Sequence, residues 1–295
     1  MLVDRHESEL GRWEMAWSDP DPRLRAFVRR YAGYLEITPQ PLRRRELPSG
    51  DVHFIISFGP PWDLPDPVEP DVRSDRHASF VAGLDDRHAF SEHAGFAHGA
   101  EVQFTPLGAS AFFGLPMREL THEVVALDAL AGRSGGRLVE RLAELPTWAD
   151  RFALLDAAIA RRVAAAPAPP REVVWAWSRL VDSGGAVPVG NLAEDLGWSR
   201  KRLIGRFREH VGVAPKLYGR LLRFQAAVET LRSADDDLGF AELAALCGYY
   251  DQPHLYRDFR AFAGTTPSEF VAGRLPGQSG FVEGKSVQDG LPSAA

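Results

Sequence analysis

The chain has 295 residues, of which 45% are hydrophobic and 25% charged, and its formal net charge is -6. This composition is that of an ordinary globular protein, and the length favours two domains. Apolar runs too short to span a membrane, an N-terminus with acids and no apolar core, and the single cysteine Cys247 predict a cytoplasmic chain without membrane span, secretion signal or internal disulfide.

The first half of the chain predicts several short strands. VHFIISF (52–58) would place Val52, Phe54, Ile56 and Phe58 on one face of a pleated strand, and GPPWDLPDP breaks the pattern after it. SFVAGL (79–84) and EVQFTPLG (101–108) are two further short strands closed by Gly or Pro. Short strands separated by such turns are typical of a small antiparallel barrel or sandwich.

Helical periodicity replaces the strand pattern further along. LVERLAEL (138–145) and WADRFALLDAAIARRV (148–163) have apolar residues three and four apart and predict amphipathic helices. AAAPAPP (164–170) cannot continue a helix and is the predicted linker. We therefore expect an α+β chain with an N-terminal domain (1–163), a helical C-terminal domain (171–274) and a disordered Gly/Ser/Pro-rich tail (275–295).

The C-terminal domain contains an internal repeat. LAEDLGWSRKRLIGRFREHVGVAPKLY (192–218) aligns with LAALCGYYDQPHLYRDFRAFAGTTPSEF (243–270), at an offset of 51 that becomes 52 after one extra residue. Each copy predicts a short helix, a glycine-containing turn and a longer helix, which is the pattern of a helix-turn-helix unit.

The repeated positions have matching physical roles. A glycine ends the first helix of each copy, a Ser or Asp caps the second helix, and a Leu/Phe pair four residues apart pins that second helix to the core. These residues are Gly197, Ser199, Leu203 and Phe207 in the first copy, and Gly248, Asp251, Leu255 and Phe259 in the second.

Pinning those side chains inward turns a donor-rich face outward. Residues 199–223 contain eight Arg or Lys and one acid, Glu209, although the whole chain is acidic. Arg, Lys and Gln are the side chains that recognise guanine and adenine edges in the major groove. Two helical hairpins that merely pack would explain the Leu, Phe, Ala and Gly positions but not a basic outer face that occurs twice.

These motifs resemble those of one known family. Residues from about 171 to 274 resemble the DNA-binding domain of the AraC/XylS family of bacterial transcription regulators, in which a central helix, here KLYGRLLRFQAAVETLRS, joins two helix-turn-helix units. The likeness includes P-x2-Y-x4-R (Pro215, Tyr218, Arg223), GYYDQPHLYRDF and the closing G-x2-P-x2-F. Gly205 departs from it, because the family often has Arg there, whereas Arg257 is present at the matching place in the second copy.

The resemblance and the outward positions together predict a DNA-binding site for two adjacent turns of the major groove, about 34 Å apart. The predicted base-reading residues are Arg200, Lys201, Ile204, Gln252, Tyr256 and Arg257. The predicted phosphate contacts, which position the protein without reading sequence, are Ser199, Arg202, Arg208, Lys216, Arg220, Arg223 and Arg260.

The same resemblance implies that the N-terminal half is a sensor or dimerisation domain, often a small cupin-like barrel that binds a small effector. LPSGDVHFIISFGPP and VQFTPLGASAFFGLPMREL look like the N-terminal domain of one branch of the family. Besides double-stranded DNA in the nucleoid, the partners implied are a small-molecule effector, RNA polymerase and a second copy of the chain. No cofactor is expected, and a regulator whose first half only dimerises, without any ligand, is the alternative.

The competing hypothesis is an enzyme, namely a metal-dependent cupin that carries a DNA-binding tail. His77, His88, His93 and His98 fall within 22 residues, but no H-x-H pair occurs and the spacings of five on glycine-rich loops define no ligand set. The sequence has no phosphate-binding loop, nucleophile elbow, zinc-protease or dinucleotide fingerprint. We therefore expect no metal and no catalytic residue, and Cys247 as a small packed hydrophobe.

Overall fold

The computed structural model describes residues 1–8, 11–66, 74–233, 238–272 and 281–282. The fold is α+β, with strands in the first half and helices in the second. The strands are β1 Leu2–Ser8, β2 Gly11–Ser18, β3 Val28–Ile37, β4 Leu42–Glu46, β5 Val52–Ser57, β6 Trp62–Pro65, β7 Ser74–His77, β8 Phe80–Ala82, β9 Ala89–His93, β10 Phe96–Phe104, β11 Val124–Ala126 and β12 Phe281–Val282. The helices are α1 Pro106–Phe113, α2 Leu127–Glu144, α3 Trp148–Ala165, α4 Arg171–Asp182, α5 Val189–Asp195, α6 Arg200–Val211, α7 Pro215–Ser233, α8 Phe240–Leu246, α9 Gln252–Ala263 and α10 Pro267–Ala272.

The strands form two antiparallel sheets. The larger has the order β1-β2-β3-β10-β5-β8-β11, and the smaller has the order β12-β4-β9-β6-β7. In the described ranges both sheets stay open, which corresponds to the sandwich alternative of the sequence prediction rather than to a closed barrel. No helix in these ranges is long and apolar enough to cross a bilayer.

The larger sheet is covered on both faces. One face, with the fully buried Phe54 and Ile56 of β5, packs against α1 and α3. The other face meets the smaller sheet through a compact apolar cluster that includes Tyr34, Trp62 and Phe80. The predicted one-sided burial of Val52, Phe54 and Ile56 is confirmed, whereas Phe58 lies just beyond the end of β5.

The strand predicted over 101–108 ends earlier than expected. β10 stops at Phe104, and α1 begins at Pro106, with the Thr105 hydroxyl accepting a hydrogen bond from the Gly108 amide at 3.0 Å. The amide hydrogen of the first helical residue has no partner within the helix, so a proline is tolerated at that position. The Thr105-Pro106 pair therefore caps and starts a helix instead of closing a strand.

The remaining boundaries follow the sequence pattern more closely. α3 covers the predicted amphipathic segment and continues to Ala165, and α4 starts at Arg171, which leaves 166–170 between them. Of the tail predicted to be disordered (275–295), only Phe281–Val282 is described, as β12 paired with β4; the rest lies outside the described residues.

The C-terminal helices contact the strands, loops and helices of the N-terminal half. The Gly50 amide donates to the Gln225 Oε1 of α7 at 3.2 Å, and the Arg45 Nη1 of β4 donates to the Ala263 carbonyl at the end of α9 at 2.8 Å. One continuous apolar core includes Phe54 of β5, Leu155 of α3 and Phe207 of α6. The first helix-turn-helix unit is therefore built onto the N-terminal half.

A buried charged trio joins the two sheets. The Arg44 guanidinium of β4 donates two hydrogen bonds to the Glu36 carboxylate of β3, one of them at 3.0 Å. His93 Nε2 lies 3.2 Å from the same carboxylate. All three residues are at most 4% exposed, so Glu36 is the counter-charge of an arginine that has left water.

Replacing Glu36 by Ala should destabilise the fold by about 3–5 kcal/mol, because it leaves Arg44 buried without its partner. Burial by itself would raise the pKa of Glu36, but Arg44 and His93 hold the pKa of that carboxyl below its usual value. The stabilisation is thus present above the unfolded-state pKa and is lost as the pH falls through the lowered folded-state pKa.

Urea unfolding at several pH values measures this effect. Asp63→Asn is the matched control, since Asp63 pairs with the 65% exposed Arg76 at 2.9 Å, and such exposed pairs contribute about 0–1 kcal/mol. Equal losses in the two variants would contradict a special role for the buried trio.

Candidate nucleic-acid interface

The first repeat forms the predicted helix-turn-helix. α5 is followed by Gly197 at a φ of 61°, where a side chain would be strained, and the chain then turns into α6. The Ser199 hydroxyl accepts a hydrogen bond from the Arg202 amide at 3.2 Å, which confirms the predicted N-cap. Leu203 and Phe207 are fully buried, so they hold α6 with its opposite face outward.

The second repeat reproduces this geometry. Gly248 follows α8 with a φ of 71°, and the Asp251 carboxylate caps α9 by accepting from the His254 amide at 2.8 Å. Leu255 and Phe259 are fully buried, as predicted. Cys247 lies one residue beyond α8 and is buried, as expected of a small packed side chain. Burial raises the pKa of its thiol.

Aromatic contacts mount both units on the central helix α7. Tyr218 packs against Phe207 of α6 with ring centroids 5.9 Å apart, and its hydroxyl accepts a hydrogen bond from Trp177 Nε1 at 2.8 Å. At the other end, Phe224 packs against Phe259 of α9 at 5.0 Å. The two predicted recognition helices, α6 and α9, are therefore held in fixed positions on α7.

On α6, the predicted base-reading residues occupy the outer face. Arg200 and Lys201 are exposed, and Ile204 is half-buried. The Arg200 guanidinium lies over the start of α5, where a Cβ on Gly190 would be 2.8 Å from Nη2. Gly205 is exposed, and a Cβ there would meet nothing within 4 Å, so the position missing its arginine has room for one.

On α9, the predicted base-reading residues differ in exposure and in their contacts within the protein. Gln252 and Arg257 are exposed, and Arg257 Nε donates to the Pro253 carbonyl at 3.3 Å, which keeps its side chain along the outer face. Tyr256 is half-buried, with its ring 5.8 Å from that of Phe240, edge to face. Its hydroxyl lies 3.4 Å from the Ser268 hydroxyl, so Tyr256 also ties α9 to α8 and α10.

Several predicted phosphate contacts are poised for that role. Arg202 is exposed and lies 4.3 Å from the Trp198 ring in a cation–π contact. Arg208, Lys216 and Arg260 are exposed as well. Among the described residues, neither the Arg208 nor the Lys216 side chain forms a hydrogen bond or ion pair, so both cations are available to an external anion.

Arg220 and Arg223 already have partners within the protein. Arg220 Nη2 lies 2.7 Å from Oδ1 of the buried Asp258, and its guanidinium stacks 4.6 Å from the Phe262 ring. Arg223 donates to the Gly185 carbonyl in the loop after α4. Both side chains are half-buried and tie α7 to its neighbours, and their contact with phosphates stays a prediction.

Asp258 is the functional neighbour that sequence reasoning missed. It is three residues after Leu255 and one before Phe259, which places it on the inward face of α9, where a carboxylate needs a cationic partner. An acid at an inward position of an amphipathic helix was the available signal, and Arg220 of α7 is the partner that it implied.

The four crowded histidines are not brought together. His93 is buried beside Glu36, His98 lies against Phe58 and Trp148, and His77 and His88 contact Phe80 and Phe90. In the described part of the chain, the one group of side chains close enough to hold a metal ion is Asp85, Asp86 and His122, none of them buried. The aromatic side chains of this half are likewise spread over several places, since Trp62 and Phe80 lie between the sheets and Phe112 and Phe113 lie on α1.

Comparison with known proteins supports this interpretation of the C-terminal half. Residues 192–273 match the model of a helix-turn-helix domain, and residues 18–126 match a domain of unknown function, DUF6597. Among curated proteins, no sequence matches the chain significantly.

Solved structures are similar at low identity. ToxT from Vibrio cholerae is 12% identical, with 82% of this chain and 97% of that one covered and a TM-score of 0.46. The C-terminal domain of AraT from Geobacillus stearothermophilus is 21% identical over 37% of this chain and 90% of that one, with a TM-score of 0.34. An AraC-type regulator from Chromobacterium violaceum is 23% identical over 36% of this chain and 95% of that one, with a TM-score of 0.32.

Replacing Arg220 by Ala should lower stability by about 1.5–3 kcal/mol, the range for a hydrogen bond to a charged group, without changing the salt dependence of DNA binding. Lys216→Ala should do the reverse, and should reduce the slope of log K against log salt by about 1 while stability stays unchanged. Thermal unfolding and DNA-binding titrations at several salt concentrations separate the two. A lower salt slope for Arg220→Ala would show that Arg220 contacts phosphate.

Gly205→Ala should stabilise the domain by about 0.5–1 kcal/mol, because glycine disfavours the middle of a helix and the position has open space around it. Chemical denaturation checks this, with Gly197→Ala as the opposite control, since its φ of 61° would strain the new side chain. A stabilised Gly197→Ala variant would contradict the turn geometry.

Proposed function

We propose that this protein is a DNA-binding transcription regulator of the AraC/XylS type, which recognises a specific duplex sequence with α6 and α9 under control of its N-terminal half. The match of residues 192–273 to a helix-turn-helix domain supports DNA binding by this half of the chain. We further propose that the exposed side chains of both helices recognise specific bases and that an effector controls this binding.

The observation that carries the proposal is the paired geometry of α6 and α9. Each is capped at its N-terminus by Ser199 or Asp251, pinned inward by a buried Leu/Phe pair, and left with an exposed outer face of Arg, Lys or Gln. Short helices held in this way present their first turns to base edges when they lie in the major groove. Because both are fixed on α7, one molecule would contact two successive turns of a long, non-palindromic site.

The two recognition helices have unequal roles in this proposal. Arg257 and Gln252 on α9 are both exposed. The guanidinium of an arginine can pair with a guanine edge, and the amide of a glutamine can pair with an adenine edge. On α6, Gly205 offers no contact, so Arg200 and Lys201 would recognise bases while Arg208 contributes charge. Lys216 at the start of α7, together with Arg202 and Arg260, would contact phosphates.

A small molecule bound to the N-terminal half would control this DNA binding. The N-terminal sheets and helices are packed directly against the first unit, so a ligand that changes this packing would change the position of α6. Regulation through dimerisation alone, and contact with RNA polymerase, remain alternative and additional roles for the same half. A cupin-type metal enzyme finds less support, because the crowded histidines lie apart and Asp85, Asp86 and His122 sit at the surface.

Replacing Arg257 by Ala should reduce the preference for specific over random DNA by about 1–3 kcal/mol, since a bidentate base contact is lost. Genome-wide mapping of bound DNA supplies the specific site, and titrations of that site and of a scrambled duplex measure the preference. Lys216→Ala is the control that should weaken both duplexes alike. Equal weakening by Arg257→Ala would make Arg257 a phosphate contact.

A further inference from the structure

A cavity of about 460 Å³ lies between the larger sheet and the first three helices. Its floor is apolar and includes Phe54 of β5, Phe112 and Phe113 of α1, Leu138 of α2 and Leu154 of α3. The volume falls within the range of about 300–1,000 Å³ typical of small-molecule sites. The cavity is on the helix-covered face of the sheet, whereas the family resemblance would place an effector inside the β-domain itself.

Four arginines surround the cavity. Arg137 and Arg141 extend from α2, Arg161 and Arg162 extend from α3, and all four are exposed. Within the described residues, none of them forms a hydrogen bond or ion pair, and no acidic side chain lines the cavity. In a chain with a net charge of -6, four uncompensated like charges around one opening repel each other and would be relieved by an anion.

We propose that this cavity binds an amphipathic carboxylate, with its aliphatic or aromatic body on the phenylalanine floor and its carboxylate among the arginines. Burial of the body removes apolar surface from water, and guanidinium groups pair with carboxylates in bidentate fashion. The regulatory meaning of this site rests on the proposed function, because only a DNA-binding protein has a DNA affinity for the ligand to change.

A second copy of the chain is a poorer occupant of this face. Identical subunits that meet across a two-fold axis place the same surface on both sides of the interface. The four arginines of one copy would then lie near those of the other, and like-charge juxtaposition opposes association. A small anion brings no second set of arginines and therefore causes no such repulsion.

The wall that carries Arg137 and Arg141 has a hinge. α2 is interrupted at Gly132, whose φ of 49° and ψ of -141° are not helical, and the next two turns continue as helix past Gly135, which lines the cavity. A Cβ on Gly132 would meet nothing within 4 Å, so this segment is free of close packing at the break. In this proposal the wall moves about this point to admit the ligand.

The cavity is connected to the first recognition helix through α1. Phe112 and Phe113 form part of its floor, and α1 itself packs against α6. Met117, in the turn after α1, lies under the end of α6, where a Cβ on Gly212 would be 3.3 Å from the Met117 carbonyl oxygen. A ligand that fixes α1 would therefore fix the base of α6.

Isothermal titration calorimetry of the full chain tests binding with three probes: dodecanoate below its micelle concentration, dodecan-1-ol and inorganic phosphate. We expect one dodecanoate per chain, at least tenfold weaker binding of the alcohol, and no saturable binding of phosphate. Equal affinity for the alcohol would show that the arginines do not recognise a carboxylate. Phosphate binding as strong as that of dodecanoate would show a general anion site. Either result overturns the proposal.

Two variants locate the site. The double variant Arg141→Ala/Arg161→Ala should weaken dodecanoate binding at least tenfold, whereas Arg133→Ala, an exposed arginine of α2 outside the cavity, should not change it. Ala158→Phe should fill the floor and abolish binding, with circular dichroism to confirm the fold. Unchanged binding in the double variant overturns the proposal even if Ala158→Phe fails to fold, because both arginines are exposed surface residues.

DNA titrations with and without dodecanoate separate this inference from the proposed function. Operator binding without dodecanoate binding would leave the DNA-binding function standing and overturn the inference. Dodecanoate binding with an unchanged operator affinity would reject the regulatory coupling. Sedimentation of the ligand-free chain supplies the last arm, since a dimer that dissociates in Arg141→Ala/Arg161→Ala would show that a second copy covers this face, and would also overturn the inference.

Discussion

Both recognition helices depend on the aromatic side chains of α7. Tyr218 holds Phe207 of the first unit at 5.9 Å, and Phe224 holds Phe259 of the second at 5.0 Å. These contacts bury one face of α6 and of α9 and thereby determine which residues remain exposed on each helix. Because the two contact points lie on one helix, the separation and relative orientation of the two outer faces are properties of α7 and not of flexible loops.

The N-terminal half adds a second constraint to the same helix. The Gly50 amide meets Gln225 in the middle of α7, while Met117 lies under the end of α6 and Arg45 reaches the end of α9. A change in α1 or in the strand β4 thus acts on the recognition helices through packed atoms. This arrangement gives the arginine-rimmed cavity beside α1 a physical route to the DNA-binding face.

Much of the C-terminal half could be predicted because its signals are local. A glycine with positive φ after each first helix, a Ser or Asp cap, and a Leu/Phe pair four residues apart are set by helix geometry and appear directly in the sequence. The first half was predicted less completely, since β1 to β4 carry weak alternation and Thr105-Pro106 can close a strand or begin a helix. Strand pairing joins residues far apart in sequence, as β3 with β10, and no local pattern specifies it.

The sequence by itself determined that this protein contains two helix-turn-helix units with basic outer faces, because burial of Leu203, Phe207 and their counterparts follows from a period of 3.6 residues. Only the tertiary structure decided which of those cations are available. Arg220 and Lys216 lie on the same helix four residues apart, yet Arg220 is held by the buried Asp258 while Lys216 is exposed. Partners from different elements meet only in the folded chain. A buried carboxylate has lost its hydration, and pairing with a guanidinium offsets that loss.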